Sequence, residues 1–373
     1  MNHLRGNHAK PWETAAFMES NASRKHLLLR PEDVPASHVD FDVVGVFNPG
    51  AVDVDGEVLL LVRVAEQPRE RRPEWIGLPR WLDGNVVVDW VREADVEYVD
   101  PRVVRIKATG LVRLTFLSHL RLVRCGDGFS VGTIDPVDAG GLIPRHEWEE
   151  YGVEDPRITK IGDRYWITYV AVSRHGAATA LASTDDFRGY ERHGIIFPPE
   201  NKDVVLFPDS VGGRYAALHR PNGATPFTTP EMWVAFSEDL LHWGGHEPLY
   251  AGHGQWESGR VGAGAPPIRV ADGWLEIYHG NRRPKRPGDV GRYEAAALLL
   301  DLQRPAHVLR QSNQPFLTPT EPFECAGFVP DVVFPTGIVR RGDSMLIYYG
   351  ASDTNTGVVS VSLDEILSRM SPL

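Results

Sequence analysis

YGVEDPRITKIGDRYWITY, residues 151–169, carries a dense charged turn straight into a pair of alternating strands. Gly152 and Pro156 bracket the carboxylates of Glu154 and Asp155, and Arg157 follows. Apolar and polar residues then alternate, Gly162-Asp163 turns the chain, and Tyr165, Ile167 and Tyr169 alternate back. The stretch reads as a loop feeding a β-hairpin. A carboxylate at a strand mouth beside a cation suits acid catalysis. It equally suits an ion-paired turn with no chemistry.

The pattern recurs outward from there. Turn-then-strand starts fall at Gly56, Gly162, Gly212, Asp272 and Gly342, and matching partner strands run from Ala178, Met232 and Tyr293. Helical periodicity is almost absent. Five similar sheet units predict an all-β fold, a five-bladed β-propeller whose blades are four-stranded antiparallel sheets around a central channel. Polar residues at strand ends, such as Arg63, His219-Arg220, Tyr278-His279 and Asp353, would then converge at the axial mouth. Residues 1–40 read as a polar N-terminal arm, with a short amphipathic helix at Trp12–Met18, and residues 41–373 as the propeller. The Arg-, Glu-, Pro- and Trp-rich run 64–99 reads as a long loop over one face. Leu363, Ile366, Leu367 and Met370 stand at helical spacing, which predicts a short C-terminal helix packed on the last blade.

Bulk properties narrow the function. A chain of 373 residues can be one domain when the architecture repeats, and no apolar run approaches the roughly 20 residues of a membrane helix. The N-terminal sequence has no apolar signal core, so a cytoplasmic location is expected. The two cysteines, Cys125 and Cys325, lack metal or disulfide spacing. A net charge of −11 argues against nucleic acid or an anionic membrane as partner. It leaves room for a small anion, because screening over about 8 Å lets a local basic cluster set the sign of a pocket.

Several residues could carry chemistry. Asn48, between Phe47 and Pro49, offers an amide to a sugar hydroxyl, or simply an Asx turn. Arg63 ends an apolar strand and needs an anionic partner, from the protein or a substrate; Arg69 follows in the next loop. Asp100-Pro101-Arg102 repeats the Asp-Pro-Arg of Asp155, but only Asp155 has a glutamate beside it, so Asp155 is the preferred acid. Lys202, Arg220, His279 and Tyr293 stand near the ends of consecutive units. Singly each suits the surface or the core; together they fit an oxyanion pocket, with charge-assisted donors contributing roughly 1.5 to 3 kcal/mol each. The run at Gly262, GAGAPP, lacks the lysine and helix of a phosphate loop and reads as close backbone packing or substrate approach. Neither a serine-hydrolase elbow nor paired metal-spaced histidines are present.

FNPG at 47, LLLVRV at 59, GVEDPRIT at 152, LHRP at 218, PPI at 266, GWLEIYHG at 273 and YYGASD at 348 together resemble glycoside hydrolase family 130, the β-mannoside phosphorylases. The resemblance spans residues 47–353. It implies a five-bladed propeller with Asp155 as general acid acting through the mannose 3-hydroxyl, and a mannosyl unit held by Asn48, Arg63 and Asp353. It further implies phosphate bound by Lys202, Arg220, His279 and Tyr293, with Arg69 a further contributor. No cofactor or metal is implied beyond inorganic phosphate as co-substrate, and members often form homo-oligomers.

Inverting glycosidases usually need a second carboxylate to activate water. Phosphate arrives charged and needs positioning more than deprotonation, so one acid and a basic pocket suffice. The expected reaction is inverting phosphorolysis of β-1,2- or β-1,4-linked mannosides to α-mannose 1-phosphate. A β-mannosidase of the same fold, in which the resemblance implies glutamates at the basic positions, and a non-catalytic sugar-binding propeller are the alternatives. Trp75, Trp81, Trp256 and Phe328 could stack on an acceptor sugar or pack between sheets.

Overall fold

A computed structural model of the protein describes residues 24–221, 227–284, 286 and 288–373, and the helix expected at Trp12–Met18 lies outside them. Strands are numbered along the chain. β1 (Arg24–Leu29) precedes the hairpin of β2 (Phe41–Val54) and β3 (Glu57–Pro68). An insertion follows: β4 (Trp75–Leu82), β5 (Asn85–Arg92), β6 (Val96–Asp100), β7 (Val103–Ile106) and β8 (Val112–Leu114). β9 (Leu117–Cys125) and β10 (Thr133–Ile134) then complete the first sheet unit on β3.

The second unit is the meander β11 (Gly152–Ile161), β12 (Arg164–Ser173), β13 (Gly176–Thr184) and β14 (Glu191–Phe197). Among the described residues its strand pairing with the first is the single parallel bridge of Gly152 with Ser118. The third runs β15 (Asn201–Leu206), β16 (Tyr215–Pro221), β17 (Met232–Ser237) and β18 (Gly244–Tyr250). In the fourth, β19 (Arg260–Ala263) and β20 (Ile268–Val270) both pair with β21 (Gly273–Arg282), followed by β22 (Arg292–Leu300) and β23 (Val308–Ser312). The fifth contains β24 (Val333–Arg341), β25 (Ser344–Ala351) and β26 (Asn355–Ser362), and β1 pairs antiparallel with β26 as its outer strand. The fold is all-β.

Hydrophobic clusters lie between successive units. Leu59, Leu61 and Leu122 pack on Ile158, Ile167 and Ala180; Leu181 and Phe197 on Val204 and Ala217. Leu218 and Val234 meet Trp274 and Leu298, and Leu275 and Ala297 meet Ile347 and Val359. One further cluster joins the fifth unit to the first, with Leu346, Tyr348 and Val358 against Val46, Val58 and Leu60. Apolar residues on both faces of each sheet explain the near-continuous hydrophobic runs of β3 and β22.

Four sequence expectations change. Residues 24–29 are not part of a separate arm: the RKHLLL segment supplies the edge strand that β26 would otherwise leave unpaired. Residues 64–99 are not a structureless loop. β4 and β5, eight residues each, form a hairpin closed by Asp83 (φ 48°) and Gly84 (φ 86°) between the paired Leu82 and Asn85. Positive φ at both central residues is the twist-matched two-residue turn that Asp-Gly favours. Asp100 belongs to the small β6–β7–β8 sheet of this insertion, so the repeated Asp-Pro-Arg does not repeat the structural setting of Asp155. The C-terminal helix forms over Leu363–Ser368, where Ser362 Oγ accepts from the Glu365 amide. Met370 has already left it for β27 (Met370–Pro372), which pairs with β23.

Candidate active site

The first strands of the first, second, third and fifth units each lose register with their neighbours, at Phe47/Gly50, Glu154/Arg157, Lys202/Val205 and Pro335/Gly337. Bulges of this kind re-aim side chains out of the ladder. Asn48, Asp155 and Asp203 stand in three of them with φ of 50°, 49° and 57°, and Asp353 has φ 49° in the turn between β25 and β26. Asn and Asp tolerate this left-handed conformation better than other residues with a Cβ. Asn48, Asp155 and Asp353 line one cavity and Asp203 stands behind its wall, so four of the left-handed polar residues gather at one place, as at many functional sites.

That cavity, about 220 Å³, is lined by Asn48, Arg63, Asp155, Lys202, Arg220, Tyr293 and Asp353. Asp155, 2% exposed, accepts hydrogen bonds at Oδ1 from Asn48 Nδ2 (2.8 Å) and Arg63 Nη1 (2.9 Å). Lys202 Nζ stands 3.9 Å from its Oδ2. Burial works to raise the Asp155 pKa, but Arg63, Lys202 and Arg157 outweigh it and hold the carboxyl down at about 2. Glu154 goes the other way: burial and the neighbouring Asp155 charge raise it despite Arg63. The Arg63 partner is thus internal. Its guanidinium also donates to Glu154 (2.7 Å) and Ser118 (3.1 Å), with Phe47 beneath it at 4.5 Å.

Asn48 depends on a glycine. A Cβ on Gly350 would stand 1.8 Å from Asn48 Oδ1. Gly350→Ala should therefore displace the amide from Asp155 and lower kcat by about 10²-fold, the usual effect of an ångström-scale misplacement. Equal kcat in a folded variant would show that the Asn48 contact is dispensable.

Behind the cavity wall Asp203, fully buried, collects the basic side chains. Arg220 donates to its Oδ2 from Nε (2.7 Å), Arg157 Nη2 lies 3.4 Å from Oδ1, and His279 Nε2 lies 3.4 Å from Oδ2. Burial notwithstanding, Arg220 and these neighbours hold the Asp203 pKa far below the usual range. Arg157 also donates to the Asp155 carbonyl (2.8 Å) and Gly264 carbonyl (3.2 Å), so it braces the acid rather than facing the cavity. The GAGAPP run packs here, since a Cβ on Gly262 would meet Asp203 Oδ2 at 2.4 Å.

Two expected phosphate contacts move. Arg69 is absent from the cavity; its side chain is 59% exposed and pairs with Asp42. It lies six residues beyond Arg63, about 20 Å along an extended strand. His279 is fully buried behind Tyr293 and Phe334, against Asp203, and does not line the cavity. Of the aromatic residues, Trp256 is core, Phe328 packs on Phe116, and Trp75 and Trp81 sit on the insertion.

Sequence reasoning missed three contributors. Arg102 lines the cavity and bridges Asp100 (3.0 Å) to Asp353 (3.1 Å), so the second Asp-Pro-Arg positions a cation rather than offering an acid. Arg260 also lines it, and its buried Nε has no hydrogen-bond partner among the described residues. Asp203 is the third. Arg102 was legible only through its aspartate neighbour; for Arg260, in an irregular SGRVG run, no sequence signal stands out.

These buried groups set the acid response. His119, His219 and His279 are each pushed down to about 3, chiefly by burial, so each favours the unfolded chain increasingly as pH falls from about 6.5 toward 3. Glu66, Glu154 and Glu276 are raised by burial, so over the range above about 4.5 a falling pH favours the fold. The two sets oppose one another between about pH 6.5 and 4.5. Below that the glutamates contribute no more, and Asp155 and Asp203, both depressed, lose their stabilisation. Urea midpoints should stay nearly level from pH 6.5 to 4.5 and then fall steeply toward pH 3; a uniform slope would contradict this assignment.

Comparison with known proteins points to one family. The family model described as beta-1,4-mannooligosaccharide phosphorylase matches residues 140–371. The chain is 39% identical over 350 residues to a beta-1,2-mannobiose phosphorylase of Listeria innocua, covering 92% of this chain and 96% of that one. It is 37% identical over 256 residues to a 1,2-beta-oligomannan phosphorylase of a Thermoanaerobacter species, covering 67% and 81%. The solved beta-1,2-mannobiose complex of the Listeria innocua enzyme superposes with a TM-score of 0.85 at 40% identity, over 92% of this chain and 96% of that chain. The chain belongs to glycoside hydrolase family 130.

Proposed function

We propose that the protein catalyses inverting phosphorolysis of β-mannosides, releasing α-mannose 1-phosphate and a shortened acceptor. The observation that carries this reading is a buried carboxyl, Asp155, sharing a small cavity with Lys202, Arg220 and Arg260. Glu154 and Asp353, also on the wall, are held by Arg63 and Arg102. Asn48, Arg63 and Asp353, with Arg102, hold the mannosyl unit. Lys202, Arg220, Arg260 and Tyr293 take phosphate, while His279 acts from behind through Asp203. The names of the relatives favour β-1,2 linkages as the first substrates to try.

A phosphate oxygen attacks the anomeric carbon from the face opposite the leaving group, the bond to the acceptor oxygen breaks, and that oxygen takes a proton from Asp155 through the mannose 3-hydroxyl. The acceptor gains one proton and hydrogen phosphate loses one, so the balance closes without another reactant. Its basic neighbours keep Asp155 ionised at neutral pH, and its proton therefore enters with the substrates. Phosphate among Lys202, Arg220 and Arg260 offsets the cations that keep the carboxyl low, and so raises its affinity for a proton. No cofactor takes part; inorganic phosphate is the co-substrate.

We further infer that the five units are blades of a five-bladed propeller in one catalytic domain. The ring of inter-unit clusters supports this, as does β1, which brings the N-terminal side of the chain into the last unit. No helix among the described residues is long and apolar enough to cross a membrane. Two free cysteines suit a cytoplasmic site of action. Incubation with β-1,2- and β-1,4-mannobiose, with and without phosphate, tests the reaction. Sugar consumption only with phosphate is expected; phosphate-independent release of mannose would make the enzyme a hydrolase.

A further inference from the structure

A second cavity, about 230 Å³, lies on the reverse face of the strands that aim Arg63. Its walls come from β3, β9, the insertion hairpin and the loops at 37–41 and 137–144. Glu66 follows Arg63 by three residues and His119 follows Ser118 by one, so in pleated strands both point away from the active site. The two cavities share no lining residue.

The polar groups are buried and fixed. Glu66, 4% exposed, accepts from the Ser37 amide at 2.6 Å and from its hydroxyl. His119, 5% exposed, stands 3.9 Å from Glu66 through Nδ1. Its Nε2 is buried with no partner among the described residues. An orphaned buried nitrogen at a cavity wall implies a missing hydrogen-bond partner. Trp81, Ile143 and Pro144 provide apolar walls, and Asn85 sits at the rim on the hairpin turn. Burial and nearby cations keep His119 neutral, and burial raises Glu66, which suits an uncharged, hydroxyl-rich occupant over an anion.

An apolar slot with a few converging polar groups is the usual form of a small-ligand site, and its volume falls just below the roughly 300 Å³ where drug-sized pockets begin. One pyranose fits that description: a C–H face for Trp81 and hydroxyls for Glu66 and His119. We propose that this cavity is a second mannosyl-binding site, separate from the active site, which takes one sugar unit of the protein's β-mannosides. The choice of sugar rests on the function proposed above.

Calorimetric titration of the full chain with β-1,2-mannobiose, without phosphate so that no turnover occurs, reads the number of sites. Two sites are expected in the wild type. Trp81→Ala, and independently Asn85→Ala at the exposed turn, should weaken one of them tenfold or more while kcat/KM for phosphorolysis stays unchanged. A single site in the wild type, or two sites unaltered in both variants, would overturn the second site while leaving the phosphorylase reading intact. Absence of any mannoside binding together with absence of turnover would remove both.

Discussion

Asp155→Asn should lower kcat for phosphorolysis by about 10²- to 10⁴-fold, the range attributable to a positioned general acid, while mannobiose still binds. The asparagine keeps an oxygen for the Asn48 amide and Arg63, and Glu154 remains within 2.7 Å of Arg63. The cavity should therefore keep its shape and lose only the proton. Calorimetry on the variant separates the two effects. Unchanged turnover would remove Asp155 from the mechanism, and loss of binding along with turnover would make it a structural anchor. The pH dependence adds a second reading. Basic neighbours hold Asp155 at about 2 and bound phosphate should raise it, so the alkaline limb, where loss of its proton ends turnover, should lie at higher pH in kcat than in kcat/KM.

Asp203 should show the other large effect, in a different observable. It touches no cavity, yet Arg220, Arg157 and His279 all converge on it. Asp203→Ala leaves buried guanidinium groups without their carboxylate, a change that typically costs about 3–5 kcal/mol. Asp203→Asn retains the shape and removes the charge, so it should fold better than the alanine variant. Its KM for phosphate should rise about tenfold or more, because Arg220 loses the charge of the carboxylate it donates to and its orientation at the cavity wall changes, while mannobiose binding without phosphate stays near wild type. Unaltered stability in the alanine variant and an unaltered phosphate KM in the asparagine variant would together contradict this role.

The sequence made the repeating framework readable because turn and strand obey a local rule. Each start at Gly56, Gly162, Gly212, Asp272 and Gly342 leads into the second strand of a unit, and apolar runs mark strands buried on both faces. Asn48, Arg63, Asp155, Lys202, Arg220, Tyr293 and Asp353 were found at strand ends and do line one cavity. What sequence could not supply was depth and direction. His279 ends up behind the wall because Phe334 and Tyr293 cover it, and Arg69 is carried away by the continued extension of β3. Asp203 was passed over beside Lys202, although its residue type, like that of Asn48 and Asp155, tolerates the left-handed conformation at a bulge. The Asp83-Gly84 turn was a legible hairpin signal masked by the charge around it.

The central claim is that phosphate, aligned by Lys202, Arg220 and Arg260, attacks the anomeric carbon directly while Asp155 supplies the proton. Phosphorus and proton NMR of β-1,2-mannobiose with phosphate and the protein, followed from the first turnovers, tests it most directly. The account predicts that α-mannose 1-phosphate and free mannose accumulate together in equal amounts, with no earlier product. Initial formation of β-mannose 1-phosphate, or of two mannose molecules with phosphate unchanged, would contradict it.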